Sequence, residues 1–248
     1  MDVFILTYRG IDYFNQWFKE SNYSSTTRFH IVDNGQQTIP ENLKHLVIYS
    51  TIQNIGCSGG FNLMYNIAFN YMGLDQIIIA QEDGLFNQQM LDEIWSNITS
   101  DKIVGGYGFP WKTDRKINFG IFGIHKSLYS CIGDWDENCV FAYYEDNDYE
   151  HRINLANKNG LMLNYDGRAN CSLTLKIEPN MLNGAARDNE IYMRSKWGTN
   201  YSEFAHPFNN PSMSFSELMP IQQTVKDVYG NITEFPSQTE FKRFLAGH

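Results

Sequence analysis

The chain has 248 residues, of which 42% are hydrophobic and 15% aromatic, and its net charge is -9. That length and apolar content suit one packed α/β domain with a modest extension and exclude a disordered chain. The acidic balance argues against a protein whose main affinity comes from coating nucleic-acid phosphates. In chain order, residues 3–7 are an apolar run of strand length, and Ile11, Phe14 and Phe18 follow at helical spacing. Phe29-His30-Ile31-Val32 reads as a second strand ending in the turn signature Asp33-Asn34-Gly35, and residues 46–49 read as a third. After a glycine-rich turn, Phe61, Met64, Tyr65, Ala68, Phe69 and Met72 mark one face of a helix. Residues 76–80 are apolar enough for a strand buried on both faces, and Met90, Leu91, Ile94, Trp95 and Ile98 mark the next helix. Residues 102–106 and 117–124 read as two further strands, and residues 144–158 as a helix with Asp148 and Arg152 one turn apart.

Repeated strand–helix units imply a right-handed, mainly parallel central sheet flanked by helices, with ligands at the carboxyl ends of its strands. From about residue 200, Pro207, Pro211, Pro220 and Pro236 interrupt a polar segment. The expected organisation is a domain over 1–200 and a C-terminal extension over 201–248, packed on the core or on a partner. No apolar run approaches the roughly 18–20 residues of a bilayer span, and no charged and apolar leader precedes the first strand. Cys57, Cys131, Cys139 and Cys171 lack metal-type pairing. A reducing cytoplasm, or a place peripheral to a membrane, is the expected location.

Two acidic clusters carry the chemistry. Glu82 and Asp83 follow the buried strand, where carboxylates are costly unless solvated, paired or metal-bound. Hard oxygen ligands suit Mg²⁺ or Mn²⁺, which commonly use one or two carboxylates plus substrate phosphates; a solvated loop pair is the plain alternative. About sixty residues on, Glu145, Asp146 and Asp148 open the helix of residues 144–158 behind an aromatic patch. They cannot all point one way, because neighbouring helical positions diverge by about 100°. Asp148 pairs with Arg152 at i,i+4, which leaves Glu145 and Asp146 at the helix entrance, facing a cleft or simply favoured by the helix dipole. One cluster holding a cation on a phosphate and the other taking a proton is the division that sugar transfer from a nucleotide donor requires.

Other residues fit around them. Asp33 could accept hydrogen bonds from a base or ribose, or form an Asx-turn. The stretch from Asn54 through Gly56, Ser58, Gly59 and Gly60 to Asn62 lies between a strand and a helix, where glycines permit close ligand approach and the helix start offers N–H groups to an anion. It is not the Gly-x-Gly-x-x-Gly of dinucleotide enzymes, and its alternative is an opening turn capped by Ser58. His125 could contact phosphate or be buried with a partner, and His151 reads as a surface or packing residue. His206, between Ala205 and Pro207, and the Lys196-Trp197-Gly198 run could close over a diphosphate or anchor the extension.

In order, these residues resemble the family 2 glycosyltransferases with a GT-A fold, in particular their rhamnosyltransferase-like branch. The turn at Ile31-Val32-Asp33-Asn34-Gly35 is similar to the nucleotide-binding strand end of that family. Asn54-x-Gly56-x-Ser58-Gly59-Gly60-x-Asn62 is similar to its Asn-x-Gly-x-x-Gly-x-Asn segment, and Asp83 takes the place of its metal-binding aspartate. The longest match is Gly133-Asp134-Trp135-Asp136-Glu137 followed by Phe141-x-x-Tyr144-Glu145-Asp146-x-Asp148 and Arg152. The resemblance covers roughly residues 2–165. Gln81-Glu82-Asp83 stands where the family has Asp-x-Asp, and the histidine often found after the next strand is not evident in residues 169–173. His206 or water would then complete the metal site, or metal dependence is weaker.

The resemblance implies a Rossmann-like GT-A fold and an inverting, hexosyltransferase-type transfer from a UDP-, dTDP- or GDP-sugar. Asp146 is the expected base, with Glu145 the second candidate. Asp33, Asn54, Gly56, Gly60, Asn62 and Glu82 would bind the donor, and Asp83 and His206 the Mn²⁺ or Mg²⁺. A glycan or lipid-linked glycan is the expected acceptor, ahead of a modified nucleobase in DNA; a homodimer is one possible assembly, and the sequence does not fix the oligomeric state. A non-catalytic nucleotide-sugar-binding or scaffold protein is one alternative. A sugar-phosphate nucleotidyltransferase is another, although the loop after the first strand offers only Arg9 as a basic residue.

Overall fold

Short apolar runs form β1 (Asp2–Thr7), β2 (Arg28–Asp33), β3 (Val47–Thr51) and β4 (Gln76–Gln81), which pair in parallel in the order β4-β1-β2-β3. The computed structural model describes residues 1–51, 53–106, 117, 119–139, 141–163, 179–197, 223–226 and 232–235. Val3 lies level with Phe29 and Ile78, and Thr7 level with Asp33, while Leu6 lies level with Gln81. The carboxyl ends of three strands therefore stop at one height. The chain leaves each of them from the same edge of the sheet.

Beyond β4 the order continues as β6 (Ile121–His125), β5 (Lys102–Gly106) and β7 (Asn159–Leu163). β6 runs antiparallel to both β4 and β5, whereas β5 and β7 are parallel. Among these seven strands four of the six pairings are parallel, as the alternation of strand and helix implies. No helix intervenes between β5 and β6 among the described residues, and an antiparallel pair needs no helical crossover. β8 (Gln223–Lys226) and β9 (Ile232–Phe235) form an antiparallel hairpin, and β8 adds to β3 to complete a nine-stranded sheet.

Alternating side chains on the inner strands feed two cores, because successive residues of a strand point to opposite faces. Val3, Ile5, Ile31, Ile78 and Ala80 pack under α1 (Ile11–Glu20) and α3 (Gln88–Asn97). Phe4, Leu6, Val32, Ile77 and Ile79 pack under α2 (Gly56–Tyr65), α4 (Lys126–Ile132) and α5 (Glu145–Leu155). Most of these strand side chains are fully enclosed, and each contributes about 1.5–3 kcal/mol on burial. The helix α1 buries Ile11, Phe14 and Trp17, with Phe18 only partly covered, so the apolar stripe sits one position away from the expected one. α2 runs on into a π-helical stretch, Asn66–Tyr71, whose Ala68 and Phe69 keep the stripe buried as the periodicity predicts.

The hydrophobic pattern gave no notice of α4, β7 or the 19-residue α6 (Pro179–Trp197). In α6 the buried positions include Ala185, Asn189, Met193, Lys196 and Trp197, so two of them are polar or charged. An apolar-periodicity reading passes over such a helix. Met193 and Trp197 pack with Cys139, against Tyr144, Leu155 and Tyr192. Among the described residues no helix is long and apolar enough to cross a membrane.

Candidate active site

The level strand ends are knitted together by backbone hydrogen bonds. The Asn34 N–H donates to the Thr7 carbonyl at 2.8 Å and the Glu82 N–H to the Leu6 carbonyl at 3.1 Å. Asp33 is 2% exposed and works within the fold: its Oδ1 accepts from Gln37 Nε2 at 3.1 Å, and its Oδ2 from Ser50 Oγ at 3.2 Å. Burial raises its pKa against those stabilising bonds. Glu82 lies against Gly10 and its Oε1 accepts the Tyr8 N–H at 3.1 Å, which ties it to the turn after β1. Burial, and next the charge of the adjacent Asp83, push the Glu82 carboxyl up to about 8. Asp83 is itself buried, at 4% exposure.

The glycine-rich segment serves packing more than ligand approach. A Cβ on Gly60 would stand 2.5 Å from Leu6 Cδ1, so this glycine lets α2 lie directly on β1. Asn62 is buried: its Oδ1 accepts the Trp135 N–H at 2.7 Å, while its Nδ2 donates to the Trp135 carbonyl and to Glu137 Oε1. It clamps α2 to the 133–137 loop. Asn54 Oδ1 accepts from the Gly56 N–H at 2.8 Å and from Asn34 Nδ2 at 3.0 Å, which shapes the turn. The Cys57 N–H donates to the Phe141 carbonyl at 2.7 Å. Two N–H groups of the first turn of α2 are thus taken by the protein. Ser58 makes no capping bond either; Ile55 stands at the N-cap.

The second acidic cluster divides as the helical spacing predicts. Asp148, fully enclosed, accepts from Arg152 Nε at 2.8 Å, and Arg152 Nη1 reaches the carbonyls of Ile132 and Asp134. The other Asp148 oxygen accepts from Lys196 Nζ at 2.8 Å and Trp197 Nε1 at 2.7 Å. Lys196 also holds Asp136, which accepts from Tyr192 Oη at 2.8 Å as well. Burial opposes the charge on Asp136, yet the Lys196 ammonium and these hydrogen bonds outweigh it and lower the pKa. Lys196 and Trp197 are accordingly buried ties between α6 and α5. His125 caps α4 by accepting the Ser127 N–H at 3.0 Å, and the His151 ring packs edge-on against Trp197, its pKa lowered chiefly by burial.

Glu145 and Asp146 open α5, where the helix dipole favours negative charge. The turn before them is unusual: Phe141, Tyr143 and Tyr144 have φ of 60°, 74° and 70°. Asn189 Nδ2 on α6 donates to the carbonyls of Ala142 and Tyr143, at 3.1 and 3.0 Å. This helix, which sequence reasoning did not delimit, supplies the side chains that hold the turn and α5.

The two acidic clusters converge on the first turn of α2. After burial, the charges of Glu145, Glu82, Asp83 and Asp146 each push the Cys57 thiol up, so all four lie within electrostatic reach of it. Tyr143, half-buried, responds to burial and then to Glu145, Cys57 and Asp83, which places its ring in the same neighbourhood. Among the described residues no three His, Cys, Asp or Glu side chains are grouped to hold a metal ion by themselves. Glu82 and Asp83 supply one or two hard carboxylates, the number Mg²⁺ or Mn²⁺ uses when phosphate and water complete its shell. Both carboxylates are buried side by side, Glu82 at 6% and Asp83 at 4% exposure, and a cation there would offset their shared charge, so this donor set fits such an ion. His206 lies outside the described residues.

No family model matches the sequence, and no curated protein sequence does. Among solved structures, the chain is similar to a mutant Drosophila beta-1,4-galactosyltransferase 7 in complex with manganese, UDP-Gal and xylobiose, at 11% identity over 69% of this chain and 67% of that one, with a TM-score of 0.43. It is similar to a glycosyltransferase involved in the glycosylation of the major capsid of PBCV-1, at 15% identity over 66% of this chain and 80% of that one, with a TM-score of 0.39. It is also similar to GalNAc-T7 with UDP, GalNAc and Mn²⁺, at 12% identity over 88% of this chain and 52% of that one, with a TM-score of 0.48.

Proposed function

We propose that the protein is a glycosyltransferase that moves a sugar from a nucleoside-diphosphate donor to an acceptor hydroxyl with inversion. The observation that carries this reading is the convergence of Glu82, Asp83, Glu145 and Asp146 around Cys57, at the edge where β1, β2 and β4 end. The nucleotide lies along that edge, with Asp33 and Glu82 shaping its floor. Asn54, Gly56, Gly60 and Asn62 act one step behind, by setting the turn and the helix on which the floor rests. Asp83 is the carboxylate that would hold Mn²⁺ or Mg²⁺; when bound, such an ion offsets charge on the departing diphosphate. Asp146 accepts the proton of the acceptor hydroxyl as its oxygen attacks the anomeric carbon. The bond from that carbon to the diphosphate breaks, and its electron pair leaves with the phosphate oxygen. Glu145, 7% exposed against the half-buried Asp146, is the less accessible of the two and the second choice as base.

A glycan or lipid-linked glycan is the acceptor this reading favours. The test is thermal stabilisation by a panel of nucleotide sugars with Mn²⁺ present, followed by calorimetry of the best donor with and without EDTA. At least one donor should stabilise the protein. Asp83→Ala should weaken that donor's binding about ten-fold or more in Mn²⁺ and leave the weaker binding in EDTA unchanged, as expected when a carboxylate acts through an ion. Stabilisation by no nucleotide sugar, or an Asp83→Ala titration that matches wild type, ends the proposal.

A further inference from the structure

The turn at residues 141–144 stands directly before the carboxylates assigned to catalysis, and three of its four residues are non-glycine residues in the left-handed region. Such backbone is uphill for residues with a Cβ and persists only where surrounding structure over-determines it, as it does at functional sites. All four carbonyls of this turn are held. That of Phe141 accepts the Cys57 N–H, and that of Tyr144 accepts the Asp148 N–H at 2.9 Å within the first turn of α5. The two between them, Ala142 and Tyr143, are both held by one side-chain amide, Asn189 Nδ2, from a helix 46–47 residues further along the chain. Asn189 is 1% exposed, so it does this work out of water's reach, where a hydrogen bond is strong and its loss is not made good by solvent.

We propose that Asn189 is a positioning residue for the transfer site. By gripping the two middle carbonyls it keeps the turn left-handed, and the turn in its place aims Asp146 at the acceptor hydroxyl and keeps the Tyr143 ring beside Glu145 and Asp83. The role rests on the glycosyl-transfer reading above. Asn189 touches neither sugar nor phosphate; its effect passes through the backbone it holds. The underside of the turn meets Gly56 and Cys57: a Cβ on Gly56 would stand 3.1 Å from the Phe141 nitrogen. Cys57 is a partly buried residue whose backbone N–H is bonded to this turn and whose thiol is pushed up by burial, so its labelling reports whether the turn is seated.

The experiment compares wild type, Asn189→Ala and Asn189→Ser in steady-state transfer and in alkylation by iodoacetamide, read peptide by peptide in a mass spectrometer. The exposed Cys131 serves as the internal reference. Asn189→Ala should lower kcat by about ten- to a hundred-fold, as a misplacement near 1 Å does, with the donor KM within about two-fold of wild type. Its Cys57 should be alkylated faster than wild type relative to Cys131, because a released turn opens locally more often. Asn189→Ser keeps one donor and should fall between the two on both measures; it also serves where the alanine variant fails to fold. Wild-type kcat and wild-type Cys57 labelling in both variants, in a protein that does transfer sugar, would overturn the role of Asn189 alone. A wild type that transfers sugar from no donor overturns the function reading together with this one. A fall in kcat matched by an equal fall in folded protein, with Cys57 labelling unchanged, makes Asn189 an ordinary stabilising residue and also overturns the proposal.

Discussion

Glu82 and Asp83 leave the end of a strand whose core is fully buried, whereas Glu145 and Asp146 open a helix whose preceding turn is left-handed at three residues. The first pair is placed by local means. β4 is fixed by its neighbours in the sheet, and the chain can only emerge at the edge where Leu6 and Gln81 lie level. The second pair is placed from a distance, by Asn189, Lys196 and Trp197 on a helix that closes over the back of α5. Burial, and next the charge of Asp83, raise the Glu82 pKa at the strand end, while the helix opening has its neighbouring charge neutralised by Lys196 and Arg152. On the proposed function, one site would respond to proton and cation concentration, and the other to the integrity of distant packing.

Three changes would break or sharpen that contrast. The largest effect belongs to Asp146→Asn, which keeps shape and removes the base. Turnover should fall by about 10²–10⁴-fold, or roughly 3–5 kcal/mol in the barrier, with donor affinity by calorimetry near wild type. Undiminished turnover would take Asp146 out of the mechanism and leave Glu145 to be tested.

Lys196→Met comes next and probes the distant packing. It strands two buried carboxylates, Asp136 and Asp148, which otherwise share one ammonium. Removing one partner of a buried pair typically costs about 3–5 kcal/mol, read as a lower midpoint of urea unfolding. A midpoint equal to that of wild type would show that the buried network contributes nothing to the seat of α5.

The smallest effect is a matter of pH at the strand end. Burial, and next the charge of Asp83, push the Glu82 carboxyl up to about 8, from an ordinary 4.5. Its contribution to stability is thus fully present below the unfolded value, falls as pH climbs between the two, and is gone above the folded value. Denaturation in EDTA across this range should show wild type losing stability relative to Glu82→Gln as pH rises. Parallel curves for the two proteins would remove the crowding of Glu82 by Asp83 from the account.

How much was legible in the sequence follows the same division. Asp33, Glu82 and Asp83 could be placed because an apolar strand followed by a polar turn specifies its own end. The pairing of Asp148 with Arg152 could be read from their spacing on one helical face. Gly60 and Asn62 were singled out for donor contact, and the structure shows in addition that they pack against Leu6 and clamp Trp135, tasks that use the same residue types that a ligand would. Asn189 carried no signal and Lys196 one that left two roles open, because a charge or an amide facing inward has meaning only once its distant partners are known.

By itself, then, the order of residues determined the inner strands β1 to β4, the edge at which they end and the helix that bears Glu145 and Asp146, because each follows from local periodicity and turn chemistry. Only the tertiary structure decided that α6 lies against α5, that the N–H groups at the start of α2 are occupied by Asn54 and Phe141, and that four carboxylates gather near Cys57. Those are contacts between residues tens of positions apart. Burial, which turns a polar side chain from a solvated ornament into a structural tie, exists only after the chain has closed on itself.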